Sequence, residues 1–540
     1  MRYTSAICVP LMLLAHAQPQ AQAENSPEIV LPEGQEFVIG AIILDKSDVF
    51  DLSNPEENNA LYRLANRLHI VTKDKVIRKQ LLFQSGDAYS PRLVGESERI
   101  MRDNRYLYDA EITATRLEDG VVDLTVATRD VWSLGPDLSA SRSGGENRTQ
   151  IGLEETNLLG SGQTVRFNHE KDVDRTSDTF EFYDKHLGRS WVSTFLRISD
   201  NSDGKSNMLS LIRPFYALDS RWSAGTWAID DDRRSALYVA GEEAAEYQQA
   251  RRNFSLFGGW SKGLQKGRAK RWTAGITHDE NTFSTVQDPS LPALIPENRK
   301  LVYAFTGFEI VEDEFETAKN HDQIGRTEDF MMGLHLSALL GWSDTSLGAD
   351  RDALIYRGNV SRGFGSLDKK ALLLSALLSG RLESGHAKNS KVGLSANYYR
   401  KQSSKRLFFA TLAATHGHEL DLDNPVQIGG DSGLRGYPLR YQNGDSKLLL
   451  TVEQRYFTDW YPFRLARIGG AVFADIGRVW GQNPVGAESR DWLTDVGFGL
   501  RIAPTRGSSG KMVHIDIAFP LNGDDTIDSV QFLLEAKRSF

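Results

Sequence analysis

The feature that most constrains this chain is an alternation at period two in its C-terminal part. Counting back from the end, one side carries Phe540, Arg538, Ala536, Leu534, Phe532 and Val530. The other carries Ser539, Lys537, Glu535, Leu533, Gln531 and Ser529. Val496, Phe498, Leu500 and Ile502 alternate in the same way with Asp495, Gly497, Gly499 and Arg501, as do Ile468, Gly470, Val472, Ala474 and Ile476 with Gly469, Ala471, Phe473, Asp475 and Gly477. Successive side chains of extended backbone point to opposite faces, so this texture reads as β-strands with one apolar and one polar side. From about Val131 onward, segments of about ten residues with this texture are separated by Gly, Asn, Asp and Ser clusters.

A soluble β-sandwich would show the same alternation, so lipid as the solvent of the apolar face has to be argued from other features. The N-terminus reads as an export signal over residues 1–23: Arg2, an apolar stretch from Ala6 to Ala17 broken by Pro10, then Ala21-Gln22-Ala23 with cleavage expected after Ala23. That stretch is shorter than the roughly 20 apolar residues a spanning helix needs. The one cysteine, Cys8, lies within it, so neither disulfides nor thiolate metal sites are expected in the mature chain. No run of about 18 apolar residues occurs anywhere, and a mean hydropathy of −0.39 is what lumen-facing polar residues would produce in a barrel. With 63 Lys and Arg against 72 Asp and Glu, net charge −9, nucleic acid is an unsuitable partner.

Residues 131–540 therefore read as a transmembrane antiparallel β-barrel. Taking roughly 25 residues per strand plus connection gives about 16 strands, an even number as bacterial barrels prefer. Trp132, Trp191, Trp222, Trp460 and Tyr461 are candidates for aromatic girdles, and Gln287–Asn298 for an extracellular loop.

Residues 24–130 have a different texture. An extended segment, Phe37 to Leu44, precedes an acidic, Asn-rich loop. Leu61, Leu64, Ala65 and Leu68 then fall on one face of a helix. Thr72 is placed to cap a second helix carrying Val76, Ile77 and Leu81, and Ser90-Pro91 begins a third. Two extended segments, Tyr106–Arg116 and Val121–Arg129, are joined at Asp119-Gly120, a hairpin signal. The order strand, helices, hairpin defines a small α+β module.

Two patches go beyond texture: Gly429-Gly430-Asp431-Ser432-Gly433-Leu434-Arg435-Gly436-Tyr437, and downstream Phe473-Ala474-Asp475-Ile476-Gly477. In order and spacing they resemble the BamA/TamA-type outer-membrane assembly superfamily. Its members carry an (I/V/L)-R-G-(F/Y) motif at the tip of an inward-folded loop and an F-x-D-x-G motif on a barrel strand. Gly86-Asp87-Ala88-Tyr89 followed by a helix and Tyr106-Leu107-Tyr108-Asp109-Ala110 resembles a POTRA domain of that family. The resemblance implies a lumen loop motif of Gly433, Leu434, Arg435, Gly436 and Tyr437, with Gly433 and Gly436 allowing tight turns. It implies pairing of Arg435 with Asp475, and Glu453 as a second acceptor. Phe473 and Gly477 would form the strand motif, and Phe532, Leu534 and Phe540 a C-terminal strand signal.

The function implied is outer-membrane protein insertion or polypeptide translocation through a barrel that opens between its last strand and a first strand near Trp132–Ser141. One periplasmic POTRA-like module would receive clients by strand addition at a sheet edge. The implied partners are outer-membrane lipids, unfolded or nascent outer-membrane or secreted polypeptides, and periplasmic chaperones. No cofactor, metal or enzymatic activity is implied. The alternatives are a passive outer-membrane channel and a structural surface antigen. Gly430-Asp431-Ser432-Gly433 copies the nucleophile turn of trypsin-like proteases, but Leu434-Arg435 follows where that family has Gly-Pro, and its disulfide-held fold has no cysteines here. His416 and His418 share a strand face, a pattern more ordinary for a polar lumen or loop than for a metal site.

Overall fold

In the computed structural model of the chain, residues 29, 31–32, 35–136, 138–286, 294–483, 485, 491–524 and 527–540 are described. The expected export signal lies outside these residues, and the Gln287–Asn298 loop is described only from residue 294.

The N-terminal region is α+β: Val38–Ser47 (β1), Ala60–Leu68 (α1), Asp74–Arg78 (α2), Pro91–Arg102 (α3), Leu107–Glu118 (β2) and Val121–Asp130 (β3). The sheet order is β1-β3-β2, with β1 parallel and β2 antiparallel to β3. Asp119 and Gly120 take positive φ values of 49° and 78°, the type I′ geometry that matches strand twist in a two-residue hairpin. Alternate residues of β3 (Val122, Leu124, Val126) bury against Ile77, Met101 and Leu107. Ser90 caps α3 ahead of Pro91, its hydroxyl accepting from the Leu93 amide at 3.4 Å. Thr72 does not cap α2. Its amide and hydroxyl instead donate to the buried Asp130 carboxylate, at 2.7 and 2.9 Å. Leu61, Leu64 and Leu68 share a face of α1, and that face is turned outward.

The rest of the chain is a closed antiparallel barrel. Leu134–Pro136 and Ser139–Ser143 pair with Glu146–Glu155 in one continuous register and count as one strand, so the barrel has 20 strands rather than about 16. The count rises because many connections are shorter than assumed. Ala240-Gly241, Lys266-Gly267 and Ser384-Gly385 are two-residue turns with positive φ at both positions.

The alternation sorts side chains as lipid and lumen require. Val472 and Phe498 are about half exposed on the outside, while Phe473, Asp475, Asp495 and Arg501 are buried inside. Trp222, Trp260 and Trp272 are cross-strand partners in succession, followed by Phe308, and form a girdle near the end of the barrel that adjoins the N-terminal region, here the proximal end. Among the girdle candidates, Trp222 belongs to this band and Trp460 is exposed at the proximal rim. Trp132 instead packs with Phe50 and Tyr62 beneath the barrel, Trp191 stacks on Tyr216 at 4.1 Å, and the Tyr461 hydroxyl meets that of Thr505.

Candidate functional site

Between the strands Arg406–His418 and Ser446–Phe457, the chain forms a short hairpin (Val426–Ile428 with Gln442–Gly444) and a turn that enters the lumen. Leu434 and Tyr437 are fully buried there, with Val479, Leu493 and Ile428 around them. Gly433 has φ 114°, a region that favours glycine, and a Cβ there would fall 2.3 Å from the Leu449 side chain. Gly436 is not in a left-handed conformation. Its hydrogen is needed for close approach instead, because a Cβ would lie 2.7 Å from Asp495 Cβ.

Arg435 is the electrostatic centre of the loop. Its Nε donates to Asp475 Oδ2 at 2.7 Å, Nη2 to Asp475 Oδ1 at 2.9 Å and Nη1 to Glu453 Oε1 at 2.8 Å. The guanidinium also lies 3.4 Å from the centroid of the Phe473 ring. Asp475 and Phe473 are two apart on the strand Ala466–Trp480, and Glu453 is the cross-strand partner of Phe473, so strand geometry alone brings the three together on one lumen patch. A guanidinium buried out of water needs this saturation of donors by carboxylates.

Two contributors were not singled out from the sequence. Asp495, the cross-strand partner of Asp475, accepts the Gly436 amide at 3.0 Å. Gly497, opposite Phe473, leaves room for that ring, since a Cβ would lie 2.4 Å from it. The signal available was register: Asp495 and Gly497 mirror Asp475 and Phe473 on the next strand. Gly477 serves similarly, with a Cβ there falling 2.6 Å from Ile428.

The loop spans the junction of the first and last barrel strands. On one side Gly430 and Leu439 abut Gly144, in the first hairpin turn, where a Cβ would lie 2.4 Å from the Leu439 amide nitrogen. On the other, the Tyr437 hydroxyl meets Asn522 Oδ1 at 2.6 Å and the Tyr441 hydroxyl donates to Asp524 at 3.1 Å, both in the connection before the last strand. The junction itself is weak. Among the described residues, Gln531–Lys537 pairs with Met512–Pro520 over seven residue pairs, but with Ser139–Ser143 of the first strand through one, Leu534–Arg142.

The last strand ends at Lys537. Phe532 faces outward, half exposed, and Leu534 is partly buried. Phe540 does not continue their face: it turns into the lumen, 7% exposed, its ring 5.1 Å from that of Phe457. The reason is a proximal hairpin, Phe315–Lys319 with Thr327–Met331, whose tip supplies the Asp322 carbonyl to the Phe540 amide at 2.8 Å. Asp322 also accepts from Arg455 at 3.0 Å, and Arg455 donates to Glu453 at 3.0 Å. The second strand of the hairpin meets the N-terminal region. Arg102 of α3 holds Asp329 through two bonds at 2.6 and 2.8 Å, and Thr327 donates to Asp109 at 2.9 Å. Polar contacts thus join α3 to the hairpin strand, and the hairpin tip through Arg455 and Glu453 to Arg435. Among the described residues, no group of three or more His, Cys, Asp or Glu side chains is disposed to hold a metal ion, and the His416 ring meets Ser446 Oγ at 2.8 Å.

Fold and lumen together define a large membrane-type β-barrel with an occupied lumen and an α+β N-terminal region. The chain is similar to BamA from Haemophilus ducreyi lacking POTRA domains 1–3, at 13% identity over 91% of this chain and 84% of that one, with TM-score 0.40. It is similar to CdiB from Acinetobacter baumannii (12% identity, 92% and 73% covered, TM-score 0.44) and to CdiB from Escherichia coli (12%, 96% and 92%, 0.36). No protein-family model and no curated protein matches the chain.

Proposed function

We propose that this chain works in the bacterial outer membrane as a gated barrel for assembling outer-membrane proteins or translocating polypeptides, with residues 24–130 forming a POTRA-like domain in the periplasm. The observation that carries the reading is the single-pair seam between Gln531–Lys537 and Ser139–Ser143. A strand edge with unmet hydrogen-bonding groups pairs with any incoming strand, so a barrel whose edges part can template a client strand. The lumen loop, held through Arg435 and touching both sides of the seam, is the element that keeps the two edges together. No step requires a nucleotide, since folding of the client supplies the free-energy gradient.

The N-terminal sheet narrows where a client could add. Part of the outward edge of β2 is already taken: the Ile112 amide donates to Glu98, the Ala110 carbonyl accepts from Arg102, and the Ala114 carbonyl accepts from the Ile29 amide. Residues 86–89 cover the first half of β1. The freer edge, and the one assigned to clients, is β1 beyond Ile42. The test of the function is to remove the chain from cells and compare the full set of outer-membrane and secreted proteins. Selective loss of one or more is expected, and an unchanged set would contradict the proposal.

A further inference from the structure

α1 carries an apolar stripe that its own domain does not bury. Leu61, Leu64 and Leu68 are 67, 48 and 64% exposed, and Ile70 just beyond the helix is 49% exposed. The helix is held by a different face. Tyr62 stacks on Phe50 at 4.0 Å and its hydroxyl donates to the Phe463 carbonyl of the barrel, while Asn66 exchanges hydrogen bonds with the Phe50 backbone. Arg63 and Arg67, both exposed, flank the stripe on its third side.

Two barrel connections that meet α1 and Ile70 carry further exposed apolar side chains. Phe463, 80% exposed, lies in the connection that binds Tyr62. Leu159, 63% exposed, precedes Gly160, which packs against Ile70 and whose carbonyl accepts the Lys73 amide. Leu159 and Phe463 have φ of 51° and 54°, left-handed backbone unfavourable for side-chain-bearing residues. Trp460, at 64% exposure, continues from Phe463 toward the outward apolar face of the barrel strands, where Val472 stands on the strand that follows.

We propose that α1, with Ile70, Leu159 and Phe463, is a membrane-surface site that inserts into the lipid leaflet at the proximal rim, beside the seam. The occupant is lipid because α1 is bound to the connection that carries the exposed Trp460 and Phe463 and leads into a lipid-facing strand, and because it has the composition of an interfacial helix, an apolar face bordered by arginines that suit anionic headgroups. A helix of this kind sits about 5–10 Å into the headgroup boundary. It would fix the N-terminal region against the bilayer at the place where the barrel opens. The inference rests on the membrane reading of the barrel but on none of its proposed traffic.

The test uses the full chain in phosphatidylethanolamine–phosphatidylglycerol vesicles, with Cys8→Ser removing the native thiol and an environment-sensitive fluorophore on Leu64→Cys. A second sample carries the label on Phe498→Cys in the belt. The Leu64 label is expected to be blue-shifted and quenched severalfold more by lipid spin-labelled near the headgroup than by aqueous iodide. Leu61→Glu with Leu68→Glu, surface changes that leave the core intact, is expected to reverse that preference. Iodide quenching at Leu64 with lipid quenching at Phe498 would overturn the proposal alone, and iodide quenching at both would overturn the membrane reading. A blue shift at Leu64 that depends on protein concentration and not on spin-labelled lipid would assign the patch to a second copy and overturn it too.

Discussion

At the scale of residues, the account turns on Arg435. Asp475 binds it in bidentate fashion and Glu453 takes the remaining Nη1. Removing one partner of a buried, hydrogen-bonded ion pair leaves an uncompensated charge and costs about 3–5 kcal/mol. Arg435→Ala is expected to release the lumen loop, seen as new protease cleavage within residues 429–441. Asp475→Asn is expected to have a smaller effect, since Glu453 stays. Arg435→Asp with Asp475→Arg should fold better than either single reversal, and no recovery would count against a direct pair. Glu328, in the proximal hairpin, is a second residue with a measurable signature. Its carboxyl accepts the amides of His321, Asp322 and Gln323, yet burial, with the nearby Asp322 charge, pushes it up to about 8 from an ordinary 4.5. The folded state then holds a proton the unfolded state releases, so the contribution is complete below about pH 4.5 and is lost as pH rises through 8. Hydrogen exchange of the amides at 321–323, corrected for intrinsic rates, should speed up across that window, and Glu328→Gln should flatten the dependence.

At the scale of elements, the proximal hairpin ties three parts together: the N-terminal region through Arg102 and Asp329, the chain end through Phe540, and the lumen loop through Arg455 and Glu453. Asp329→Arg is expected to weaken its attachment to α3 by about 2–5 kcal/mol, the range for a buried charge pair across an interface. Combining it with Arg102→Asp should restore protection of residues 315–331 from proteolysis, and equal cleavage in single and double variants would contradict the coupling. This hairpin was illegible in the sequence. Its apolar residues Ile324 and Met332 serve contacts far away in the chain, with Phe540 and Tyr399, and neither period two nor period 3.6 records such contacts. By contrast, the Asp119-Gly120 hairpin and the strands around Phe473 and Phe498 were legible, because alternation and turn chemistry are local. Phe540 shows the limit of that logic. Alternation placed it with Phe532, but the ladder stops at Lys537, after which a ring and an amide follow the best available partners rather than the pleat. The strand count erred for a related reason: X-Gly dipeptides such as Lys266-Gly267 close a turn in two residues.

At the scale of the whole molecule, the barrel combines a long ladder around most of its circumference with one weak junction, and it places the lumen loop, the chain end and α1's neighbouring connections around that junction. The proposed insertion or passage of polypeptides uses such a seam. Arg142 and Leu534 are a registered pair across it, and cysteines at both positions stand as cross-strand neighbours able to form a disulfide. The decisive measurement is the level of any outer-membrane or secreted proteins that fall when the chain is removed, in cells carrying Arg142→Cys with Leu534→Cys, under oxidising and reducing conditions. With the seam locked, those levels are expected to fall to the values found without the chain, and reduction is expected to restore them. Undiminished levels with the disulfide formed would contradict a function that works by parting the first and last strands.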